Sequence, residues 1–132
     1  MIAKMGATVV CGGLGEVMAA VARGARAAGG ATIGIVPGES RADANPWIEY
    51  VVVTGMGHAR NLAVAASGDA VIAVGGGYGT LAEIAYARIL GRPVVVLDPG
   101  WDLGREGIDR ASTPKEAVEL ALRLAAGGRA TG

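Results

Sequence analysis

The chain has 132 residues, of which 23 are glycine and none is phenylalanine, and 12 Lys and Arg residues balance 12 Asp and Glu residues. A hydrophobic fraction of 52% with balanced charge excludes a disordered chain, and glycines without a three-residue period exclude a collagen-like one. Because there is no basic excess to neutralise phosphates, we expect no nucleic-acid partner. The length fits a single domain over residues 1–132.

The signals for cellular location are few. The single cysteine, Cys11, cannot form an intrachain disulfide, and no apolar run approaches the roughly 18–20 residues that a membrane span needs. The first residues lack the apolar region and small-residue cleavage site of a secretory signal. We therefore expect a soluble, cytoplasmic protein that has no membrane partner.

Short apolar runs alternate with helical patterns along the chain. The predicted strands are residues 7–11, 32–36, 50–53, 70–74 and 93–97. The predicted helices are residues 16–28, 57–67, 80–90 and 114–126. The strands are continuous apolar runs rather than alternating ones, which favours burial on both faces. The pattern predicts an α/β, Rossmann-like, doubly wound fold with a mainly parallel sheet flanked by helices.

The last helix has the clearest local signature. Thr113, Pro114 and Glu116 supply an N-cap, a proline at the first helical position and a glutamate at the third, which together form a capping box. We expect this helix to stop at Gly127 and Gly128.

Glycines concentrate where predicted strands end. Those after the first strand are Gly12, Gly13 and Gly15, and those after the fourth are Gly75, Gly76, Gly77 and Gly79. In open α/β sheets, ligands bind at the carboxyl ends of strands, where backbone N–H groups and the positive end of a helix attract anions. Thr80 opens the following helix as either its N-cap or a phosphate ligand.

The two glycine-rich loops do not carry equal weight. The first is either a structural turn or a binding loop, and Glu16 near its helix start would repel a phosphate. The second has four glycines among five residues, which exceeds what a plain turn needs. The sequence therefore favours a binding site for phosphate or another anion at the second loop.

The segment 56–83 resembles the LOG-like (SLOG) superfamily, which includes cytokinin-activating phosphoribohydrolases. The motifs that carry the resemblance are Thr54-Gly55-Met56, Ala59-Arg60-Asn61 and the run from Gly75 to Glu83. Gly75 in place of proline and Asn61 in place of lysine favour the branch of uncharacterised bacterial and molybdenum cofactor carrier proteins. The resemblance implies a phosphorylated nucleotide-like ligand, with the molybdenum cofactor as a candidate cargo.

The resemblance also implies the residues of the site. Its ligand-binding positions would be Gly12, Gly13, Gly15, Met56, Arg60, Asn61, Gly75, Gly76, Gly77, Tyr78, Gly79, Thr80 and Glu83. In the hydrolase branch, Arg60 and Glu83 would act on the N-glycosidic bond of a nucleoside 5′-monophosphate. The alternative is an ordinary buried Arg–Glu pair that braces the loop.

Three functions therefore stay open: a carrier or sensor of such a ligand, a phosphoribohydrolase, and a degenerate protein with a structural, oligomeric role.

No His, Cys, Asp or Glu cluster has metal-ligand spacing, so we expect no metal site. Family members commonly self-associate, which implies a homodimer or homotetramer. Family members also begin with a strand and a glycine-rich loop that Met1–Met5 does not contain, so we expect a chain short at its N-terminus. Tyr78 and Trp101 could stack on a flat ring, although Tyr78 could equally pack on its own helix.

Overall fold

The computed structural model describes residues 7–12, 30–75, 77–101, 103 and 107–131, in two compact units, Met1–Val64 and Ala65–Gly132. The strands are β1 (Val9–Cys11), β2 (Thr32–Val36), β3 (Tyr50–Val53), β4 (Val71–Gly75), β5 (Val94–Gly100) and β6 (Ile108–Ala111). The α-helices are α1 (Arg60–Ser67), α2 (Tyr78–Ile89) and α3 (Pro114–Thr131), and short 3-10 turns occupy Arg41–Asp43 and Gly57–Ala59.

The first unit is built on a parallel sheet in the order β1-β2-β3. The central strand β2 is the most buried, with Thr32 and Val36 fully shielded from solvent. The hydroxyl of Thr32 donates to the carbonyl oxygen of Trp47 at 3.2 Å and accepts from the backbone N–H of Glu49 at 2.9 Å. Both hydrogen-bonding capacities of this buried hydroxyl are thus used, and the loop before β3 is anchored to the sheet.

The second unit is built on a parallel sheet in the order β4-β5-β6. Successive side chains of β5 face opposite sides of the sheet. Val94 and Val96 pack with Ile84 and Ala87 of α2, whereas Val95 packs in a second cluster with alanines of α3. Helices therefore cover both faces of this sheet, and the α/β, Rossmann-like prediction is confirmed.

Small residues of α3 pack against the sheet. Ala117, Ala121 and Ala125 are buried, and the first two belong to the cluster around Val95. Leu120 and Leu124 of the same helix pack against this cluster as well, so alanine and leucine side chains together fill the space between α3 and the sheet.

Several predicted boundaries are wrong. α3 does not stop at Gly127 and Gly128 but continues through them to Thr131. Glycine disfavours a helix by only about 1 kcal/mol, so it weakens a helix without ending it. β6 was not predicted, because its sequence mixes apolar Ile108 with the exposed, charged Asp109 and Arg110. The predicted helix over residues 16–28 lies outside the described residues, and the prediction of a single domain stays a prediction.

Candidate ligand-binding site

The turn from β4 to α2 is very short. β4 ends at Gly75 and α2 begins at Tyr78, so only residues 76 and 77 separate them. Gly75 has a φ of 90°, which side-chain-bearing residues rarely adopt, and the strand register shifts between Val74 and Gly75. Gly77, at φ −75° and ψ 160°, is the N-cap of α2. The backbone conformation at position 75 thus requires a glycine, and only two residues connect β4 to α2.

The N-terminus of α2 has no side-chain cap and no acidic residue in its first turn. The backbone N–H of Leu81 donates to the carbonyl oxygen of Gly77 at 3.1 Å. By helix geometry, the N–H groups before Leu81 have no intrahelical acceptor. Thr80 is the third residue of α2 and not its N-cap, because its hydroxyl donates instead to the carbonyl oxygen of Val74 at 3.5 Å. The positive end of the helix is therefore left for another group to satisfy.

The N-terminus of α3 shows the opposite arrangement within the same unit. The backbone N–H of Glu116 donates to the Thr113 hydroxyl at 3.1 Å, and the Glu116 carboxylate accepts from the N–H of Ser112 at 3.4 Å. The Thr113 half of the predicted capping box is present, but the Glu116 half is not, because the carboxylate accepts from the N–H of Ser112 rather than from that of the N-cap residue. The start of α3 therefore has a side-chain cap, whereas the start of α2 has none.

The space above the β4–α2 turn is open. A Cβ atom added to Gly75 or to Gly77 would meet no atom within 4 Å. The glycine at 77 also has an ordinary φ, so neither neighbouring atoms nor backbone conformation requires a glycine there. Glycine is a favoured residue at a helix N-cap, and here it also leaves the backbone open to close approach by a ligand.

Two aromatic side chains border this turn. The Tyr78 side chain is 83% exposed, and its ring centroid lies 6.1 Å from that of Trp101 with an interplanar angle of 43°. The indole N–H of Trp101 donates to the carbonyl oxygen of Gly77 at 3.2 Å. Arg110 in turn donates to the carbonyl oxygen of Trp101 at 2.7 Å. Sequence reasoning missed these two links, and no local motif could have shown them, since 24 and 9 residues separate the partners.

The glycine at the end of β1 serves a different purpose. Gly12 is buried, and the guanidinium of Arg60 fills the space where a Cβ would lie, with its Cζ 2.8 Å from that point. Arg60 is only 8% exposed, and its Nη1 donates to Asn61 Oδ1 at 2.9 Å. The structure thus brings three predicted site residues, Gly12, Arg60 and Asn61, together in the first unit. A side chain at position 12 would collide with the guanidinium.

Hydrogen bonds link the loops after β2 and β3. The Thr54 hydroxyl donates to the carbonyl oxygen of Val36 at 2.7 Å, and the N–H groups of Gly55 and Gly57 donate to Gly38 and Pro37. Gly55 and Gly57 both have positive φ, near 60°. Met56 lies within this network and is exposed to solvent. The chain then passes through the 3-10 turn Gly57–Ala59 to Arg60, the first residue of α1. The pattern of two glycines after a threonine was its only signal in the sequence.

Other predicted site residues are placed individually. Glu83 lies in the second turn of α2 and is half-buried, but it belongs to the second unit and Arg60 to the first. Joint action of these two side chains therefore stays a prediction. Gly13, Gly15 and Gly76 lie outside the described residues. Within the described ranges, no three His, Cys, Asp or Glu residues are grouped closely enough to hold a metal ion.

Comparison with known proteins adds to this geometry. The model of the SLOG cluster4 family matches residues 1–125. An uncharacterised protein of Archaeoglobus fulgidus is 42% identical over 122 residues, which are 92% of this chain and 79% of that protein. None of the helices in the described part of the chain is long and apolar enough to cross a membrane.

Two solved structures are similar along most of the chain. The molybdenum cofactor binding protein of Rippkaea orientalis is 34% identical with a TM-score of 0.86, covering 93% of this chain and 80% of that one. The molybdenum cofactor carrier protein of Chlamydomonas reinhardtii is also 34% identical, with a TM-score of 0.85 and coverage of 95% and 81%.

Proposed function

Because the chain belongs to the SLOG cluster4 family, we propose that it binds a phosphorylated nucleotide-like ligand and acts as a carrier, with the molybdenum cofactor as the leading candidate. The observation that carries the proposal is the bare, positive N-terminus of α2 beneath open space. The names of the solved relatives, which describe binding and carrying of this cofactor, support the choice of cargo.

The chemistry of the turn suits a phosphate monoester. The first N–H groups of α2, which have no intrahelical acceptor, supply hydrogen-bond donors, and the helix dipole adds roughly half a positive charge. No acidic side chain in the first turn competes with an incoming anion. The hydroxyl of Thr80, whose hydrogen bond to Val74 is long at 3.5 Å, can turn towards a phosphate oxygen at little cost. In this proposal Gly75 and Gly77 of the turn and Gly79 at the start of α2 let the ligand approach the backbone closely.

The decisive experiment loads the protein with cofactor. The full chain is mixed with molybdenum cofactor released from a molybdoenzyme, passed through a desalting column, and assayed for molybdenum per chain. We expect close to stoichiometric molybdenum after this treatment, and only background after the same treatment with molybdate alone. Background levels in both samples would contradict the carrier proposal, and equal retention of molybdate would indicate an oxyanion site instead.

The hydrolase alternative rests on the match of Arg60 and Glu83 to the family motif. Incubation with AMP, followed by chromatography for adenine, separates the two functions. A carrier leaves AMP intact while binding it, whereas a phosphoribohydrolase releases adenine and ribose 5-phosphate. Loss of adenine release in both Arg60→Ala and Glu83→Gln would support the enzyme, provided that each variant keeps its folded circular dichroism spectrum.

We also propose that the protein is a cytoplasmic homo-oligomer, a dimer or a tetramer. The single cysteine suits a reducing compartment. Val52 and Val53 on β3 are exposed, at one end of the strand order of their sheet, and an apolar strand at that position favours pairing with another chain. Light scattering coupled to size-exclusion chromatography would give the assembly mass, and a monomer at micromolar concentration would contradict this part of the proposal.

A further inference from the structure

Tyr78 is a large aromatic residue that is mostly exposed to solvent. With 83% of the side chain in solvent, the ring gains little from apolar burial, and its one aromatic neighbour, Trp101, leaves most of the ring surface open. Tyr78 is the first residue of α2, and the aromatic contact of its ring is with Trp101 rather than with a residue of its own helix. The core therefore does not explain an aromatic residue at this position.

The position of Tyr78 places its ring beside the proposed anion site. Gly77 precedes it as the N-cap, and its own N–H is among those without an intrahelical acceptor. A phosphate held at this helix end would bring whatever it is attached to within reach of the tyrosine ring. A flat, electron-rich ring beside a phosphate site is an arrangement that suits a phosphorylated heterocycle.

We propose that Tyr78 selects the ligand by stacking on its planar heterocycle, while the α2 N-terminus holds the phosphate. This inference rests on the proposed function and adds the residue that recognises the ring of the phosphorylated ligand. Tyr78 contacts the ligand directly. Its partner Trp101 is a positioning residue, since its indole N–H holds the carbonyl oxygen of Gly77 and its ring borders Tyr78.

Arg110 extends this support to β6. It donates to the backbone carbonyl of Trp101, so the aromatic wall is tied both to the glycine turn and to a strand of the sheet. A stacking ring is useful only when its orientation is restrained, because an unrestrained side chain loses rotational freedom on binding. The two hydrogen bonds restrain Trp101, whose ring borders Tyr78 on one side and so limits the orientations open to it.

The test separates ring recognition from phosphate recognition by using AMP and ribose 5-phosphate as probes in isothermal titration calorimetry. Stacking on one aromatic side chain predicts that Tyr78→Ala weakens AMP binding by roughly 5- to 100-fold. The same variant should leave ribose 5-phosphate binding unchanged, and Tyr78→Phe should bind AMP like the wild type. Tyr50→Ala, which removes an exposed tyrosine at the start of β3, is the matched control and should change neither affinity.

The possible failures are distinct. Equal losses for both probes in Tyr78→Ala, or no loss for either, would overturn the stacking inference while leaving the phosphate site intact. If the wild type binds neither probe and retains no molybdenum cofactor, the proposed function fails as well.

A spectroscopic measurement tests the role of Trp101 independently. The sequence has two tryptophans, so Trp47→Phe leaves Trp101 as the only indole fluorophore. Because the Trp47 contact to Thr32 uses its backbone carbonyl, this substitution keeps that hydrogen bond. We expect AMP to change the Trp101 emission and ribose 5-phosphate to change it much less. Identical responses to both probes, or none to AMP, would contradict a ring bound beside Trp101.

Discussion

Gly12 and Gly77 both follow a parallel strand, yet the space above them differs. At Gly12 the guanidinium of Arg60 occupies the position of a side chain, whereas at Gly77 that position is empty to beyond 4 Å. Gly12 is buried and Gly77 is exposed. Gly12 makes room for a side chain of the protein itself, whereas the space beside Gly77 is open and is where the proposed ligand would lie.

The comparison shows why a count of glycines does not locate a site. Glycine permits close approach, and the approaching group can be an internal side chain or an external ligand. The buried cluster of Gly12, Arg60 and Asn61 shows that residues of a family motif can hold one another in place. At the exposed turn before α2, no side chain of the described residues caps the helix N-terminus.

The largest expected effect of a substitution is at the filled glycine. Gly12→Ala places a methyl group against the Arg60 guanidinium and should lower the free energy of unfolding by about 1–3 kcal/mol. Urea denaturation of the variant and the wild type measures this difference. Gly12→Ala combined with Arg60→Ala should cost less than the sum of the single changes, because the collision is removed. An additive double variant would contradict the close approach.

A smaller effect separates the capped helix from the uncapped one. Thr113→Ala removes the N-cap of α3 and should cost about 1 kcal/mol of stability. Thr80→Ala, in the first turn of α2, is the matched control and should cost clearly less, because its hydroxyl makes no cap. Equal losses in thermal or urea unfolding would mean that α2 depends on Thr80 as a cap.

The smallest expected change in stability is at the open glycine. Gly77→Ala meets no atom and keeps an allowed φ, but alanine is a poorer N-cap than glycine, so the free energy of unfolding should fall by about 0.5 kcal/mol. AMP binding should nevertheless weaken, because the added methyl group enters the space left for the ligand. A variant that is both fully stable and fully competent to bind AMP would show that the ligand does not approach Gly77.

The fold was predictable where local patterns and packing agree. Apolar runs such as residues 32–36 and the N-cap at Thr113 are local signals, and the structure confirms both. The strand Ile108–Ala111 was not predicted because its two charged residues are exposed, so its sequence is not an apolar run. It forms as a strand by pairing with β5. The extension of α3 through Gly127 depends on the helix as a whole, which a single residue does not reveal.

The candidate site was predictable in part for similar reasons. The glycine run after β4 marked the turn at the start of α2, but it could not tell which glycine has a positive φ and which is the N-cap. The contact of Arg60 with Gly12 and the bond from Trp101 to Gly77 join residues far apart in sequence. Such contacts depend on how several strands are arranged in space, and local sequence patterns do not predict that arrangement.

The most direct test of the account replaces Thr80 by aspartate in one variant and by asparagine in another. The two side chains have nearly the same shape and differ in charge, and an acidic residue in the first turn should stabilise α2 by about 0.3–1 kcal/mol. If α2 holds a phosphate at its N-terminus, Thr80→Asp should bind AMP at least roughly tenfold more weakly than Thr80→Asn, which corresponds to about 1.4 kcal/mol, while unfolding no more readily. Equal AMP affinity in the two variants would contradict the central claim that the ligand's phosphate lies at this helix end.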